Sequence, residues 1–396
     1  MAFSAWSFVF LCRPQDYILF LNPLRPGVIL ILITLVLYVL NKSSFKEIAY
    51  NRQVKLYQYL VILIVIGVPF SYYPRFSLYE FFLYCNVVLF FFLFYQIVNS
   101  ISDLRNIIFL YCMGASIYAL FALKTGNFDN ERLSFSDAFD PNDLAFYLLS
   151  FLTFNFIFIS KTNSKFIRIS SVVSLIVTAL VILKTGSRGG LIALLSVITV
   201  LLFTKSQSIK LSFMSKAALC IVAFVSVQYT TINTVRFKTL LVPESDYNYT
   251  DETGRKAIWK TGIKLMLSHP LVGIGMNAFP EGIGRERKKE GAVSLKWQTA
   301  HNSLVQIGAE TGVFGLILFC AMSFNAFKIF GQIAKKTRFE ELAKIGEMAR
   351  VGFLGHFIIA LFLSQAYSVY WAFYIVLSAV LKQLLDKETE VAEIIT

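Results

Sequence analysis

The chain has 396 residues, of which 56% are hydrophobic, 16% aromatic and only 15% charged. A soluble domain carries about 25% charged and about 45–50% apolar residues. With 39 Phe and 19 Tyr, there is more apolar surface than one core of this size can hide, so part of the solvent must be lipid. That excludes a secreted disulfide scaffold, a disordered chain and an ordinary cytosolic enzyme. The net charge of +13 does not point to nucleic acid, because much of the excess sits in short loops beside apolar runs and no basic, aromatic-interleaved domain stands apart.

In chain order, apolar segments run over about 2–21, interrupted by Arg13-Pro14-Gln15-Asp16, then 26–40, 56–72, 78–98, 106–123, 142–160, 169–185, 189–204, 211–228, 302–330, 349–365 and 367–384. Backbone groups in lipid need internal partners, so each is taken as helical. The expected fold is an all-α integral membrane protein of about 12 transmembrane helices with one large periplasmic loop that itself contains helices. The expected division is 1–228 for about nine N-terminal spans, 229–301 for the loop domain, and 302–396 for about three C-terminal spans and a cytoplasmic tail. No cleavable signal peptide is expected, since Arg13 and Pro14 follow the first short apolar stretch without a small-residue cleavage site.

The basic loops alternate. Lys42, Lys46, Arg52 and Lys55 precede the third segment, Lys161, Lys165 and Arg168 precede the seventh, Lys205, Lys210 and Lys216 follow the eighth, and Lys335, Lys336, Arg338 and Lys344 precede the eleventh. All fall on one side if every segment crosses, and the positive-inside rule makes that side cytoplasmic. The long loop 229–301 lies opposite yet holds 11 Lys/Arg against 7 Asp/Glu, including Arg285-Glu286-Arg287-Lys288-Lys289. That run reads equally as a site for an anion or as a solvated helix face. Within the loop, 253–268 has helical apolar spacing, ended by His269-Pro270 and followed by a turn at Gly273-Ile274-Gly275. Asn248-Tyr249-Thr250 matches a glycosylation acceptor pattern of low specificity.

Five places can carry chemistry. His301, one of three histidines, sits where the long loop re-enters the membrane, and a neutral imidazole there can accept a proton from a hydroxyl; equally, it could merely cap the helix. Arg188, in Thr185-Gly186-Ser187-Arg188-Gly189-Gly190, lies between two apolar runs with almost no room for a loop, where a guanidinium can grip phosphate oxygens in pairs or simply snorkel. Arg255 opens the loop helix, where backbone N–H groups also favour phosphate; equally, it reads as an exposed Arg on a polar helix face. Asp140-Pro141-Asn142-Asp143 reads first as a helix start, with metal ligation or sugar contact as lesser readings. Glu310 lies within a span, where ionisable groups are functional or paired. Arg188, Arg255 and His301 come from three regions that the topology brings to one membrane surface, a set suited to a lipid-anchored phosphate ester whose attached group is passed to a hydroxyl.

At these residues the chain resembles the O-antigen ligase and polymerase family of bacterial inner-membrane proteins. The matching pieces are Ser187-Arg188-Gly189-Gly190; Arg255 and Trp259 followed by His269-Pro270-Leu271-Val272-Gly273-Ile274-Gly275; His301-Asn302-Ser303-Leu304; and Glu310-Thr311-Gly312. Asp140-Pro141-Asn142-Asp143, Arg13-Pro14-Gln15 and Leu24-Arg25-Pro26 fit as well. The resemblance implies a GT-C-like helical glycosyltransferase in the inner membrane, its site facing the periplasm. Its donor would be a glycan on undecaprenyl pyrophosphate, held by Arg188 and Arg255, with His301 acting on the acceptor hydroxyl and inversion at the anomeric carbon. No metal and no cofactor are expected. Arg25, Asp140, Asn142, Asp143, Trp259, Asn302 and Glu310 are supporting candidates. The first reading of the reaction is O-antigen ligation to lipid A–core. Repeat-unit polymerisation and protein O-oligosaccharyl transfer share the donor chemistry, differing in a glycan or protein hydroxyl acceptor. A membrane transporter or flippase is the alternative of a different class.

Overall fold

A computed structural model describes residues 1–41, 51–129, 131–160, 162–203, 251, 253–291 and 297–395, with side chains to 389. The segment expected at 211–228, the Asn248-Tyr249-Thr250 pattern and the basic residues Lys42, Lys46, Lys161, Lys205, Lys210 and Lys216 lie outside the described residues. The rest is almost wholly helical: α1 (Ala2–Cys12), α2 (Pro26–Leu40), α3 (Arg52–Gly67), α4 (Pro74–Ile97), α5 (Ile101–Thr125), α6 (Pro141–Leu152), α7 (Asn155–Phe158), α8 (Lys165–Lys184), α9 (Arg188–Phe203), α10 (Arg255–Ser268), α11 (Phe279–Lys289), α12 (Ser303–Lys336), α13 (Glu340–Ala360) and α14 (Val369–Ile395). One antiparallel hairpin, β1 (Asn127–Asp129) with β2 (Arg132–Ser134), stands between α5 and α6.

The expectation of about 12 spans is corrected. Six helices among the described residues are long and apolar enough to cross a membrane: Arg52–Phe70, Pro74–Ile97, Ile101–Thr125, Lys165–Lys184, Ser303–Lys336 and Val369–Thr389. Crossing about 30 Å of hydrocarbon at 1.5 Å per residue takes about 20 residues. The 11 residues of α1, 15 of α2 and 16 of α9 fall short. The apolar run over 142–160 is not one helix; it breaks at Thr153–Phe154 into α6 and α7, and Thr153 Oγ1 donates to the Met348 carbonyl at 3.0 Å. α13 has the length, but Glu340, Glu341, Lys344, Glu347 and Arg350 charge its first half. Six long apolar helices make this a multi-pass membrane protein.

α14 is the axis of the bundle: 72% of its apolar window is buried, against 33% for α3 and for α4, whose outer faces carry exposed Tyr59, Ile62, Phe82 and Leu83. Aromatic rings fill the space around it. Tyr57 stacks on Phe91 at 3.9 Å, and Trp371 on Phe319 at 4.3 Å. Stacked and edge-on rings bury large areas with defined geometry.

Helix direction sorts the charges. α8 runs from Lys165 to Lys184 and α12 from Ser303 to Lys336, so Ser187 and His301 share one end of the bundle while Lys165, Lys335 and Lys336 share the other. Arg105, which pairs with Glu341 and donates to Asn163, ties that second end together.

α12 holds the end that carries His301 to the rest. Gly312 interrupts it with φ +74, and the segment 270–279 fits into the kink: Val313 N donates to the Pro270 carbonyl at 2.8 Å, Ile274 N to Ala309 O at 3.0 Å and Gly275 N to Glu310 O at 3.0 Å. A Cβ on Gly312 would lie 2.4 Å from the Pro270 oxygen. Gly312→Ala is therefore expected to destabilise the protein by at least about 2 kcal/mol. A fall in detergent-solubilised melting temperature or in monodisperse yield checks this; an unchanged melt would mean the kink is not required.

Candidate active site

A cavity of about 260 Å³ opens at the His301 end of the bundle, and Arg188, Arg255 and His301 all line it. Each arrives at the start of a helix, for a local reason. Gly186 ends the stretch after α8, and Ser187 Oγ accepts the Gly190 N–H at 3.2 Å, capping α9 so that Arg188 is its first residue. The two glycines that follow allow close approach: a Cβ on Gly190 would meet Ala145 Cβ at 2.9 Å, and one on Gly189 would meet Phe362 at 3.1 Å. Arg255 starts α10 behind Gly254, where no side-chain oxygen caps the helix. Helix starts carry partial positive charge on outward N–H groups. Two such starts and the Arg188 and Arg255 guanidinium groups therefore put positive charge around this cavity.

His301 precedes α12, whose first N–H groups are taken by Asn302: its Oδ1 accepts from Leu304 N at 2.9 Å and Val305 N at 3.1 Å. The His301 backbone is left-handed, with φ +48. Its imidazole is partly buried, with Nε2 3.5 Å from Thr299 Oγ1. Burial first, and then the neighbouring Arg255 guanidinium, hold its pKa below the ordinary 6.5, against an opposing pull from Asp140. The imidazole is thus neutral near pH 7 and able to accept a proton.

Residues 173–320 match a family model described as O-antigen ligase. The match takes in a little over a third of the 396-residue chain and includes Arg188, Trp259, Arg255, His301, Asn302 and Glu310. No curated protein matches the chain.

The supporting candidates are scattered. Asn142 lines the cavity, and its Oδ1 accepts from Arg132 Nη2 at 2.8 Å. Asp140 caps α6, its Oδ1 accepting from Asn142 N at 2.6 Å and Asp143 N at 2.8 Å, and Asp143 Oδ1 accepts from Gln365 Nε2 at 2.7 Å. Among the described residues no cluster of three or more His, Cys, Asp or Glu side chains is found that could hold a metal ion. Trp259 Nε1 donates to the Ala300 carbonyl at 3.0 Å, fixing the chain next to His301. Glu310 is buried, and its Oε1 accepts the Phe279 N–H at 3.2 Å, holding the start of α11 rather than facing the cavity. Arg25 is exposed at the start of α2 and is not among the cavity-lining residues.

The basic run resolves toward internal pairing. On α11, Arg285 pairs with Glu281 at 2.7 Å and lies over the Tyr72 ring at 4.4 Å; Lys289 and Lys264 both pair with Glu286; Arg287 donates to Gln298 Oε1 at 2.8 Å.

Two features escaped the sequence reading. Arg132, on β2, is a third guanidinium in the cavity wall, its Nε donating to the Thr185 carbonyl at 3.2 Å. The only hint was a basic residue in an otherwise acidic stretch (Asp129, Glu131, Asp137 and Asp140). The connector 361–368 between α13 and α14 closes the remaining side through Phe362 and Leu363.

Proposed function

We infer that the protein transfers a glycan from undecaprenyl pyrophosphate to an acceptor hydroxyl at the periplasmic face of the bacterial inner membrane, with ligation of O-antigen to lipid A–core as the reaction. The observation that carries this reading is the cavity itself: the guanidinium groups of Arg188 and Arg255, with that of Arg132 beside them, two helix starts and the His301 imidazole meet in one polar pocket, and the region matching the O-antigen ligase model spans Arg188, Arg255 and His301. The clustering of Lys165, Lys335 and Lys336 at the other end of the bundle supports a periplasmic orientation for the cavity.

In this reading Arg188 and Arg255 hold the diphosphate. The acceptor oxygen attacks the anomeric carbon from the face opposite the leaving group, and His301 takes the hydroxyl proton. The bond from that carbon to the diphosphate oxygen breaks, and its electron pair leaves with undecaprenyl pyrophosphate. Configuration inverts, and the proton passes from His301 to water. Fixed guanidinium groups stabilise the departing charge most in the transition state, so the reaction needs no metal. Transfer is expected to survive strong chelation; loss that Mg²⁺ or Mn²⁺ restores would return the carboxylates at 140 and 143 to consideration as ligands.

The pH dependence follows from His301. With its pKa held below the ordinary 6.5, His301 should give kcat/KM an acid limb whose midpoint lies below 6.5, with activity rising through it to a plateau. An acid limb with its midpoint at or above 6.5, in the profile of purified protein, would contradict the role of this imidazole.

The function itself is tested by deletion and analysis of surface polysaccharide. Loss of capped lipopolysaccharide with accumulation of long lipid-linked chains is the expected result. Lipopolysaccharide bearing a single repeat would mean polymerisation, and unglycosylated envelope proteins would mean transfer to protein.

A further inference from the structure

The connector 361–368 reaches α6, α9, α12 and the His301 backbone, each by a different contact. Ser364 Oγ accepts the His301 backbone N–H at 2.8 Å. Gln365 Nε2 donates to Asp143 on α6, and Gln365 N donates to Ser303 Oγ at 3.0 Å, whose own hydrogen goes to the Leu363 carbonyl at 2.8 Å. Ala366 N donates to Gln306 Oε1 at 3.1 Å, one turn into α12. Phe362 lies against Gly189 beside Arg188.

The contact at His301 differs in kind from the others. The residue is in the left-handed region at φ +48, which is uncommon for a residue with a side chain although histidine visits it more readily than most, so a bond that favours it carries weight. The N–H that Ser364 accepts belongs to that residue, so the serine oxygen bears on the one backbone unit that decides where the imidazole projects. The remaining bonds seat the connector on α12 and α6 and so fix where Ser364 stands.

We propose that Ser364 is a positioning residue for the transfer reaction: its hydroxyl locks His301 in the left-handed conformation that aims the imidazole into the cavity beside Arg255. The assignment rests on the functional reading above for its catalytic consequence, but not for its structural one. With the lock gone, the His301 backbone relaxes and the ring leaves its half-buried place. The charged groups around that place are Arg255 on α10, Arg188 on α9, Arg132 on β2 and Asp140 ahead of α6.

The test is Ser364→Ala in the full-length protein in detergent or nanodiscs, with Ser364→Thr as the variant that restores the acceptor oxygen. With only three histidines in the chain, labelled imidazoles can be titrated by NMR and the His301 signal assigned by its loss in His301→Gln. Wild-type His301 should titrate below 6.5, and Ser364→Ala should move it up toward 6.5. Alongside, kcat should fall between about tenfold and a hundredfold with donor KM within about twofold, as expected for a displaced base rather than a lost binding contact. Ser364→Thr should recover both. An unmoved His301 titration in Ser364→Ala overturns the proposal, as does a kcat loss that threonine does not rescue. If the alanine protein fails to fold, Ser364→Cys carries the same expectation, because sulfur is a poor acceptor of similar size; a wild-type titration there overturns it equally. The functional reading fails differently: wild-type protein would then consume no lipid-linked glycan, whatever the titration shows.

Discussion

His301→Ala is expected to lower the rate of glycan transfer by about 10²–10⁴, the usual contribution of a positioned general base, while the protein stays folded in the membrane. The separation of those two effects follows from what holds this region together. The His301 side chain is only partly buried, and among the described residues its Nε2 has one long hydrogen-bond contact, to Thr299 at 3.5 Å. The bonds that fix the chain belong to neighbours: Trp259 Nε1 on the Ala300 carbonyl, Ser364 on the His301 backbone and Asn302 on the first turn of α12. Removing the imidazole therefore deletes a proton acceptor and little else. His301→Gln should be as inactive as alanine, since an amide keeps hydrogen-bonding capacity but cannot accept the hydroxyl proton near neutral pH. Turnover of lipid-linked glycan by purified protein measures both. Near-normal activity in either variant would remove His301 from the base role and leave the cavity as a binding site alone.

Much of this arrangement was legible in the sequence where the signal is local. The loop helix expected over 253–268 is α10, Arg255–Ser268, because an apolar stripe, a glycine before it and His269-Pro270 after it all mark its ends. The acidic start at 140–143 is a capped helix start. The number of spans was not legible, because hydropathy measures how apolar a stretch is and not whether its backbone continues as one helix. The run 142–160 is apolar throughout, yet it turns at Thr153 for a contact with Met348 that no local pattern announces.

The site divides in the same way. Arg188 and His301 drew attention because charge and imidazole are costly beside lipid. The charged run at 285–289 drew attention as positive charge on the translocated side, yet most of it is spent within α11 on Glu281 and Glu286, with Arg287 reaching Gln298 in the segment before His301. Arg132 and the 361–368 connector stayed hidden because their roles exist only through tertiary hydrogen bonds, to Thr185 and Asn142 in one case and to His301 and Asp143 in the other.

Arg188→Lys is expected to reduce transfer by about tenfold to a hundredfold, and Arg188→Ala by about 10²–10³, the cost of removing one donor that meets developing charge. A lysine keeps the charge but replaces a planar fork of N–H groups with a single hydrated ammonium on a flexible stem, which cannot make paired bonds to two diphosphate oxygens. The position sharpens the contrast. Arg188 is the first residue of α9, and Gly189 and Gly190 press that helix start against Phe362 and Ala145, so the guanidinium is carried on backbone with little freedom to shift and compensate. The helix start itself remains in both variants, so part of the anion attraction survives. The loss should therefore appear more in kcat, where charge on the leaving diphosphate grows, than in donor KM, where the charge is already present in the ground state. A lysine variant as active as wild type would show that charge alone suffices and that paired bonding at this residue is wrong; a loss confined to KM would make Arg188 a tether for the donor rather than a partner of the transition state.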